Sequence, residues 1–144
     1  MQKLYWAITY FVIGYAIVVV TIVSLYKIPG FLRTSIGMTA AAIVFSDVAY
    51  RYFKRTTETS TTVGWKRVLK LMTLWIGLSI GLDTLLLVII MPLIATGSMN
   101  LHFFEQQPVI YWIQFPMYYV IGFVAQSMYN RVVAITSAQL KHLP

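Results

Sequence analysis

The sequence lacks cysteine and has few histidines, and each scarcity excludes a class of site. None of the 144 residues is cysteine, which removes disulfide frameworks, thiol catalysis and thiolate metal sites. Both histidines lie outside the long apolar stretches, so they cannot ligate a haem inside a membrane. No set of His, Asp and Glu has the spacing of a metal site, and no serine has a histidine–acid arrangement. The sequence therefore predicts no cofactor and offers no catalytic motif, which makes an enzyme the less favoured class.

Charged residues are also scarce, and apolar residues take their place. Charged residues make up 10% of the chain and hydrophobic residues 59%, whereas a soluble domain carries about 25% charged residues. The apolar residues form four long stretches, at 4–26, 34–50, 71–95 and 106–130. The first has 23 residues without a charge and would span about 34 Å as an α-helix, enough for a hydrocarbon core of about 30 Å. We predict an all-α protein with a single domain over 1–144, an integral membrane bundle of four transmembrane helices.

The positions of the basic residues predict the orientation of this bundle. Nine of the eleven Lys and Arg residues, six of them in the connection 51–70, fall on the side of the chain ends, and Lys27 and Arg33 fall on the other side. Because basic residues mark cytoplasmic loops, both termini are predicted to be cytoplasmic. The net charge of +7 then reports topology, so the lipid bilayer is an expected partner and nucleic acid is not. Binding of a specific anionic lipid by the connection 51–70 stays open as the less favoured alternative.

Aromatic residues flank the predicted spans at positions that suit the membrane interfaces. Tyr5 and Trp65 fall near the predicted inner interface, and Phe103, Tyr111 and Trp112 fall near the outer one. Such side chains place an apolar body in lipid and a polar edge among the headgroups.

Two carboxylates lie inside the predicted spans. Asp47 precedes Arg51 by one helical turn near the inner end of the second span, which favours a local ion pair and leaves a proton or ion relay as the alternative. Asp83 lies about 18 Å into the third span, and the nearest basic residue of its helix is Lys70. A carboxylate near the bilayer midplane needs a proton, a hydrogen bond from another helix, or water. We favour a structural interhelical hydrogen bond for Asp83, with a functional role as the open alternative.

The third span has two faces that suit helix packing. Gly77 and Gly81 form a G-x-x-x-G spacing, and Thr84 continues the same face. Ser79 and Asp83 lie together on the opposite side of the helix. A helix used on both sides is either central to its bundle or lies at an oligomer interface.

The second and fourth spans supply small and polar residues for such packing. The second contains Gly37 among several Ala, Ser and Thr residues, which favours packing against helices over packing against lipid. The fourth carries a stripe of Gly122, Gln126 and Asn130 at helical spacing, whose amides we interpret as interhelical hydrogen-bonding groups. Pro116 is predicted to kink this span.

Two runs of the sequence resemble a known kind of protein. The run LWIGLSIGLDTL at 74–85 and the run YWIQFPMYYVIG at 111–122 are similar to the third and fourth helices of small, uncharacterised four-helix bacterial membrane proteins. The resemblance implies four helices in the bacterial inner membrane. It implies no activity and assigns no functional residue.

The expected function is that of a non-enzymatic membrane protein that acts through helix–helix contacts, as an accessory subunit, an assembly factor or a self-associating module. This expectation rests on the two-sided third span and on the small residues of the second. Other membrane proteins or a second copy of the chain are the expected partners. The alternative is a small oligomeric transporter or proton-coupled channel centred on Asp83. An enzyme acting on lipid or quinone ranks third, because the sequence offers no acid–base pair for it.

Overall fold

A computed structural model describes residues 2–25, 27–58, 61–107 and 109–141 of the chain. Four long helices contain most of these residues. The first, second and fourth are α1 (Gln2–Ser24), α2 (Gly30–Thr56) and α5 (Val109–Lys141). The third consists of α3 (Trp65–Asp83), a π-helical segment (Thr84–Ile90) and α4 (Met91–Thr96), which follow one another without a break. We call the continuous stretch Trp65–Thr96 the third helix. The described residues include no strand, so the predicted all-helical fold is confirmed.

The crossing between α2 and α3 is shorter than the predicted connection 51–70. Only 57–64 lies between the two helices. α2 extends further than predicted because its last turns have a buried face, on which Tyr52 and Phe53 pack into the core beside exposed basic residues. The end of the first predicted span and the middle of the crossing lie outside the described residues, at Tyr26, Thr59 and Ser60.

Three of the four helices are long and apolar enough to cross a membrane. They are Gln2–Ser24, Leu32–Thr56 and Trp65–Thr96. Within the described residues α5 is not among these three. The fourth predicted span is a helix in the structure, with Pro116 inside it.

The helices are arranged as a ring in which α1 packs against α2 and the third helix, and α5 packs against the same two. α2 and α3 follow each other in the chain and yet occupy opposite corners, so the crossing 57–64 is diagonal. α1 and α3 run parallel. Trp75 Nε1 donates to the carbonyl oxygen of Ala7 across 3.0 Å, and the hydroxyl of Tyr15 donates to Asp83 further along both helices. The partners are 68 residues apart in both contacts, which is possible only if the two helices run in the same direction.

One aromatic side chain from each helix forms the centre of the core. Phe45 of α2 lies with its ring centroid 5.8 Å from Phe11, 5.7 Å from Trp75 and 5.2 Å from Tyr118. Tilted and edge-to-face contacts of this kind stabilise beyond simple burial of apolar area. All four rings are buried.

The outer surface, by contrast, is covered with large apolar side chains. Ile94 is 82% exposed and Ile43 66%, and many other Ile, Val and Leu residues on the four helices are exposed as well. Soluble monomers rarely present a contiguous apolar surface of more than a few hundred Å² (about 300–600 Å² for the largest patch). The protein therefore has apolar side chains on its outside as well as in its core.

Two glycines allow close approach between helices. A Cβ atom at Gly122 of α5 would lie 2.6 Å from Met72 Cγ and 2.8 Å from Val68 Cγ1 of α3. A Cβ atom at Gly14 of α1 would lie 3.0 Å from the ring of Phe45. At Gly122 an added side chain would displace its neighbours, and at Gly14 the Phe45 ring would have to give way by a few tenths of an ångström.

We expect Gly122→Ala to lower the free energy of unfolding by about 1–3 kcal/mol, because the added methyl group overpacks the contact with Met72 and Val68. Gly77→Ala is the matched control, since the added carbon meets no described atom within 4 Å apart from its chain neighbours and the backbone of its own helix. It should leave stability unchanged or raise it by up to about 1 kcal/mol through helix propensity. Unfolding in detergent micelles, followed by circular dichroism, measures both values. Equal stability of the two variants would contradict the close packing at Gly122.

Candidate functional site

Asp83 lies in the middle of the third helix and is the one buried residue among the four acidic residues of the chain, with 7% of its surface exposed. It ends α3, and the backbone widens directly after it into the π-helical segment. Such segments are rare and are frequent at functional sites. Ser79, one turn earlier on the same face, is also buried.

Two tyrosines donate hydrogen bonds to the Asp83 carboxylate. The hydroxyl of Tyr15 in α1 donates to Oδ1 across 2.7 Å, and the hydroxyl of Tyr111 in α5 donates to Oδ2 across 2.7 Å. These distances are typical of a hydroxyl bonded to a carboxylate. Asp83 therefore joins three of the four helices at one point.

Neighbouring aromatic rings hold both tyrosines in place. The ring of Tyr15 lies 5.8 Å from that of Phe11, one turn earlier in α1. The ring of Tyr111 lies 6.1 Å from Phe103 and 5.7 Å from Phe115, and both contacts are nearly perpendicular. The aromatic residues of the connection before α5 thus position the donor that α5 contributes.

Both oxygens of Asp83 accept hydrogen bonds from neutral hydroxyl groups. Among the described residues the ion pairs are Arg51–Asp47 and His102–Glu105, and both are exposed. The same residues contain no group of three His, Cys, Asp or Glu side chains that could hold a metal ion. Acid–base catalysis needs a positioned proton donor or acceptor at a reacting group, and both oxygens of this carboxylate already accept from the protein. The arrangement is suited to binding the helices together.

A cavity of about 360 Å³ lies beside this site, between α1, α2 and α5. Its inner end reaches Phe45 and Tyr118 of the core, and Arg33 and Gln107 line it toward the end of the bundle opposite the chain termini. Tyr111 forms part of its wall. The hydroxyl that binds Asp83 therefore belongs to a ring that borders open space.

The walls of this cavity explain its shape and its polarity. Gly37, Ala41 and Ala42 of α2 are too small to fill the space. The small residues of the second predicted span therefore leave this cavity open. Gln114 also lines the cavity, and its Nε2 is buried without a hydrogen-bond partner among the described residues. An unpaired buried donor is destabilising, so the cavity is suited to a hydrogen-bond acceptor.

Asp47 and Arg51 form a site of their own, away from Asp83. Arg51 Nε donates to Asp47 Oδ2 across 2.7 Å, in the i, i+4 contact that the spacing predicts. The side chain of Arg51 is 63% exposed and that of Asp47 is 53% exposed. Because both are so exposed, the pair contributes little to stability.

From their place in a packing stripe we expected Gln126 and Asn130 to bond to another helix. Both side chains bond instead to the crossing between α2 and α3. Gln126 Nε2 donates to the carbonyl oxygen of Val63 across 2.6 Å. Asn130 Oδ1 accepts from the Val63 amide across 2.8 Å, and its Nδ2 donates to the same carbonyl. The two amides therefore fix the backbone of the crossing, because an extended residue before α3 leaves both of its polar groups unpaired.

The packing glycines of the prediction separate into two groups. Gly122 and Gly37 face neighbouring helices, and a Cβ atom at Gly37 would lie 3.1 Å from Ile22 Cγ1. Gly77 and Gly81 are exposed, and an added Cβ would meet no described atom of another helix within 4 Å. Thr84 follows on the same side, and its hydroxyl donates to the Ile80 carbonyl of its own helix. The third helix is therefore not enclosed by its own bundle.

Sequence reasoning missed the two tyrosines that complete the Asp83 site. Tyr15 stands in an uncharged span without any motif around it, and Tyr111 was expected at the outer interface. The available signal for Tyr15 was its hydroxyl in the middle of a span, at a depth similar to that of Asp83. A hydroxyl at that depth needs a partner in the bundle, just as a carboxylate does.

Comparison with protein-family models, with curated proteins and with solved structures found no match for this chain. The resemblance to small bacterial membrane proteins therefore depends on the runs 74–85 and 111–122 alone.

We expect Asp83→Leu to lower the free energy of unfolding by about 0.5–2 kcal/mol and Asp83→Asn to lower it less. The amide of Asn accepts one tyrosine hydroxyl and donates to the oxygen of the other, whereas Leu leaves both hydroxyls unpaired. Tyr15→Phe and Tyr111→Phe remove one hydroxyl each and keep the rings. Unfolding of each Phe variant with and without Asp83→Leu gives the coupling energy. Additive effects of the two substitutions would contradict the hydrogen-bonded role of Asp83.

Proposed function

We propose that this chain is an integral membrane protein of four transmembrane helices that acts through helix–helix contacts and not through catalysis. Its apolar outer surface and its three long apolar helices support insertion in a bilayer. The concentration of Lys and Arg at the end that carries the chain termini and the crossing supports cytoplasmic termini. Together with the resemblance stated above, this favours the bacterial inner membrane.

The observation that carries the proposal is the exposed G-x-x-x-G face of α3. Gly77, Gly81 and Leu85 follow one another at i, i+4 spacing, and all three are exposed. A helix that only faces lipid has no need of glycine, which lowers helix propensity by about 1 kcal/mol relative to alanine. Glycines at this spacing allow the backbone of another helix to approach closely.

The opposite side of the same helix is firmly bound to the bundle. Ser79 and Asp83 are buried, Asp83 is hydrogen-bonded to α1 and α5, and Trp75 is bonded to α1. The third helix is therefore held in place by one face while the other is available to a transmembrane helix of a second copy or of a different membrane protein. Such a protein serves as an accessory subunit, an assembly factor or a self-associating module.

We expect Gly77→Leu and Gly81→Leu to reduce association at least about tenfold, because a bulky side chain prevents close backbone approach. Ala16→Leu is the matched control, since Ala16 is an exposed small residue of α1 at the depth of Thr84. Association is measured by fluorescence energy transfer between labelled copies in vesicles, and by affinity purification in mild detergent. A different protein in stoichiometric amount identifies an accessory role, and a pure homo-oligomer identifies self-association. Unchanged association of both Gly variants would contradict the proposal.

We expect cysteine labelling to place the crossing and the connection 97–108 on opposite sides of the membrane. The chain has no cysteine, so a single introduced thiol is unambiguous. Thr62→Cys should react with a membrane-impermeant reagent only after the cells are opened, and Ser98→Cys should react in intact cells. Both residues are exposed. Labelling of Thr62→Cys in intact cells would overturn the proposed orientation.

A second candidate function is a small transporter or proton-coupled channel centred on Asp83. The cavity beside Tyr111 favours it, because an opened Tyr111 would connect Asp83 with the cavity. pH-driven ion flux in liposomes separates the two candidates. Flux that is present in the native protein and absent in Asp83→Asn would support the transporter, and no flux in either would remove it.

A further inference from the structure

A second cavity, of about 480 Å³, lies between α1, α2 and α3 at the end of the bundle that carries the chain termini. Lys3 reaches it from α1, and Lys66, Arg67 and Lys70 reach it from the first turns of α3. The remaining lining residues are Leu4, Ala7, Tyr52, Leu71 and Leu74.

The charge of this cavity is positive and uncompensated. None of the described residues that line it is acidic. None of its four cations forms an ion pair with a described residue, because the ion pairs of the described chain are Arg51–Asp47 and His102–Glu105. Four like charges held this close together repel each other, and an anion between them relieves that repulsion.

Arg67 gives the cavity a fixed cation. Its guanidinium nitrogens donate to the hydroxyls of Thr56 and Thr57 and to the Thr56 carbonyl, and the group lies 5.7 Å from the ring centroid of Tyr52. The flexible side chains of Lys3, Lys66 and Lys70 are exposed around it. A positioned guanidinium with mobile ammonium groups beside it is well suited to a phosphate.

The apolar side of the cavity indicates that this phosphate belongs to an amphiphile. Leu4, Leu71 and Leu74 line the space next to the cations, and Leu4 is 55% exposed toward the outer surface of α1. Trp65 is 56% exposed at the same end, which suits the depth of lipid headgroups. A free anion would bind the cations without contacting the leucines, whereas a phospholipid would bind the cations through its phosphate and the leucines through an acyl chain.

We propose that this cavity binds an anionic phospholipid, with the headgroup phosphate among Lys3, Lys66, Arg67 and Lys70 and an acyl chain along the leucines of α1 and α3. Basic pockets between helices at the cytoplasmic side are suited to such headgroups, and each cation near the surface adds favourable attraction. The inference rests on the membrane insertion proposed above. It is independent of the G-x-x-x-G face, because the two sites share no residue.

A neighbouring cavity supplies the control. Lys54 lies in a cavity of similar volume, about 480 Å³, together with Arg51, Arg55 and the acidic Asp47. It is an exposed lysine at the same end of the bundle, but its surroundings contain a carboxylate and no leucine. Lys54→Gln therefore removes one charge from this end without touching the proposed site.

The test uses the full chain, purified in micelles of an uncharged detergent. Dioleoyl phosphatidylglycerol, dioleoyl phosphatidylcholine and inorganic phosphate are titrated separately, and binding is followed by the melting temperature and by native mass spectrometry. We expect phosphatidylglycerol to raise the melting temperature and to remain bound. The double variant Lys66→Gln/Lys70→Gln should bind it about tenfold to thirtyfold more weakly. Lys66→Arg/Lys70→Arg keeps the charge and should retain binding.

Three results would overturn the inference. Equal stabilisation by phosphatidylcholine would show that charge is not recognised. Equal stabilisation by inorganic phosphate would show a site for a free anion. A loss of binding in Lys54→Gln as large as that in Lys70→Gln alone, which also removes one charge, would show general attraction to a positive surface. The unliganded melting temperature of each variant checks that the fold is intact, and association through α3 is measured separately, so failure of one proposal is distinguishable from failure of the other.

Discussion

Burial of the Asp83 carboxylate is the constraint on which the arrangement of the helices depends. A carboxylate in an apolar interior is strongly destabilising unless donors of the same protein reach it. Tyr15 and Tyr111 supply those donors from α1 and α5, one for each oxygen. Two turns away, Trp75 of α3 donates to the carbonyl oxygen of Ala7 in α1. Its partners are separated by the same 68 residues as Tyr15 and Asp83. A slip of α1 by one residue would rotate it by about 100° and break both contacts, so the two together fix the height and rotation of α1 against α3.

Because its polar side faces inward, the third helix has its small residues on the outside. The close internal crossing is made by Gly122 of α5 against Met72 and Val68, and it does not use the glycines of α3. Gly77 and Gly81 are therefore left uncovered by the chain itself. In lipid, helices associate mainly through close packing and hydrogen bonds, since the surrounding chains are as apolar as leucine. The third helix is bound to its bundle by one face and carries the small residues Gly77 and Gly81 on the other, so the second face allows close contact with a further helix.

The end of the bundle that carries the termini is held together by side chains. α2 and α3 lie at opposite corners, so the crossing runs diagonally and gains no ladder of backbone hydrogen bonds. Gln126 and Asn130 bind the backbone of Val63, and Arg67 binds the last residues of α2. Arg67 also lines the basic cavity, so the same cation that holds the crossing contributes to the lipid site that we propose. Positive charge at this end thus holds the crossing through Arg67, and the orientation and the lipid contact that we propose depend on it as well.

The sequence by itself determined the helical class, the approximate places of the three apolar helices, the charge asymmetry and the inward position of Ser79 and Asp83, because hydropathy, charge count and helical spacing are local properties. It also determined the Asp47–Arg51 pair, which lies within one helix. Only the tertiary structure decided that Tyr15 and Tyr111 bind Asp83, that Gln126 and Asn130 bind the crossing, and that Gly122 is covered while Gly77 is not. Those outcomes depend on the rotation and height of one helix against another. When apolar side chains cover the outside as well as the core, the hydrophobic pattern of a helix does not reveal which face its neighbours will cover.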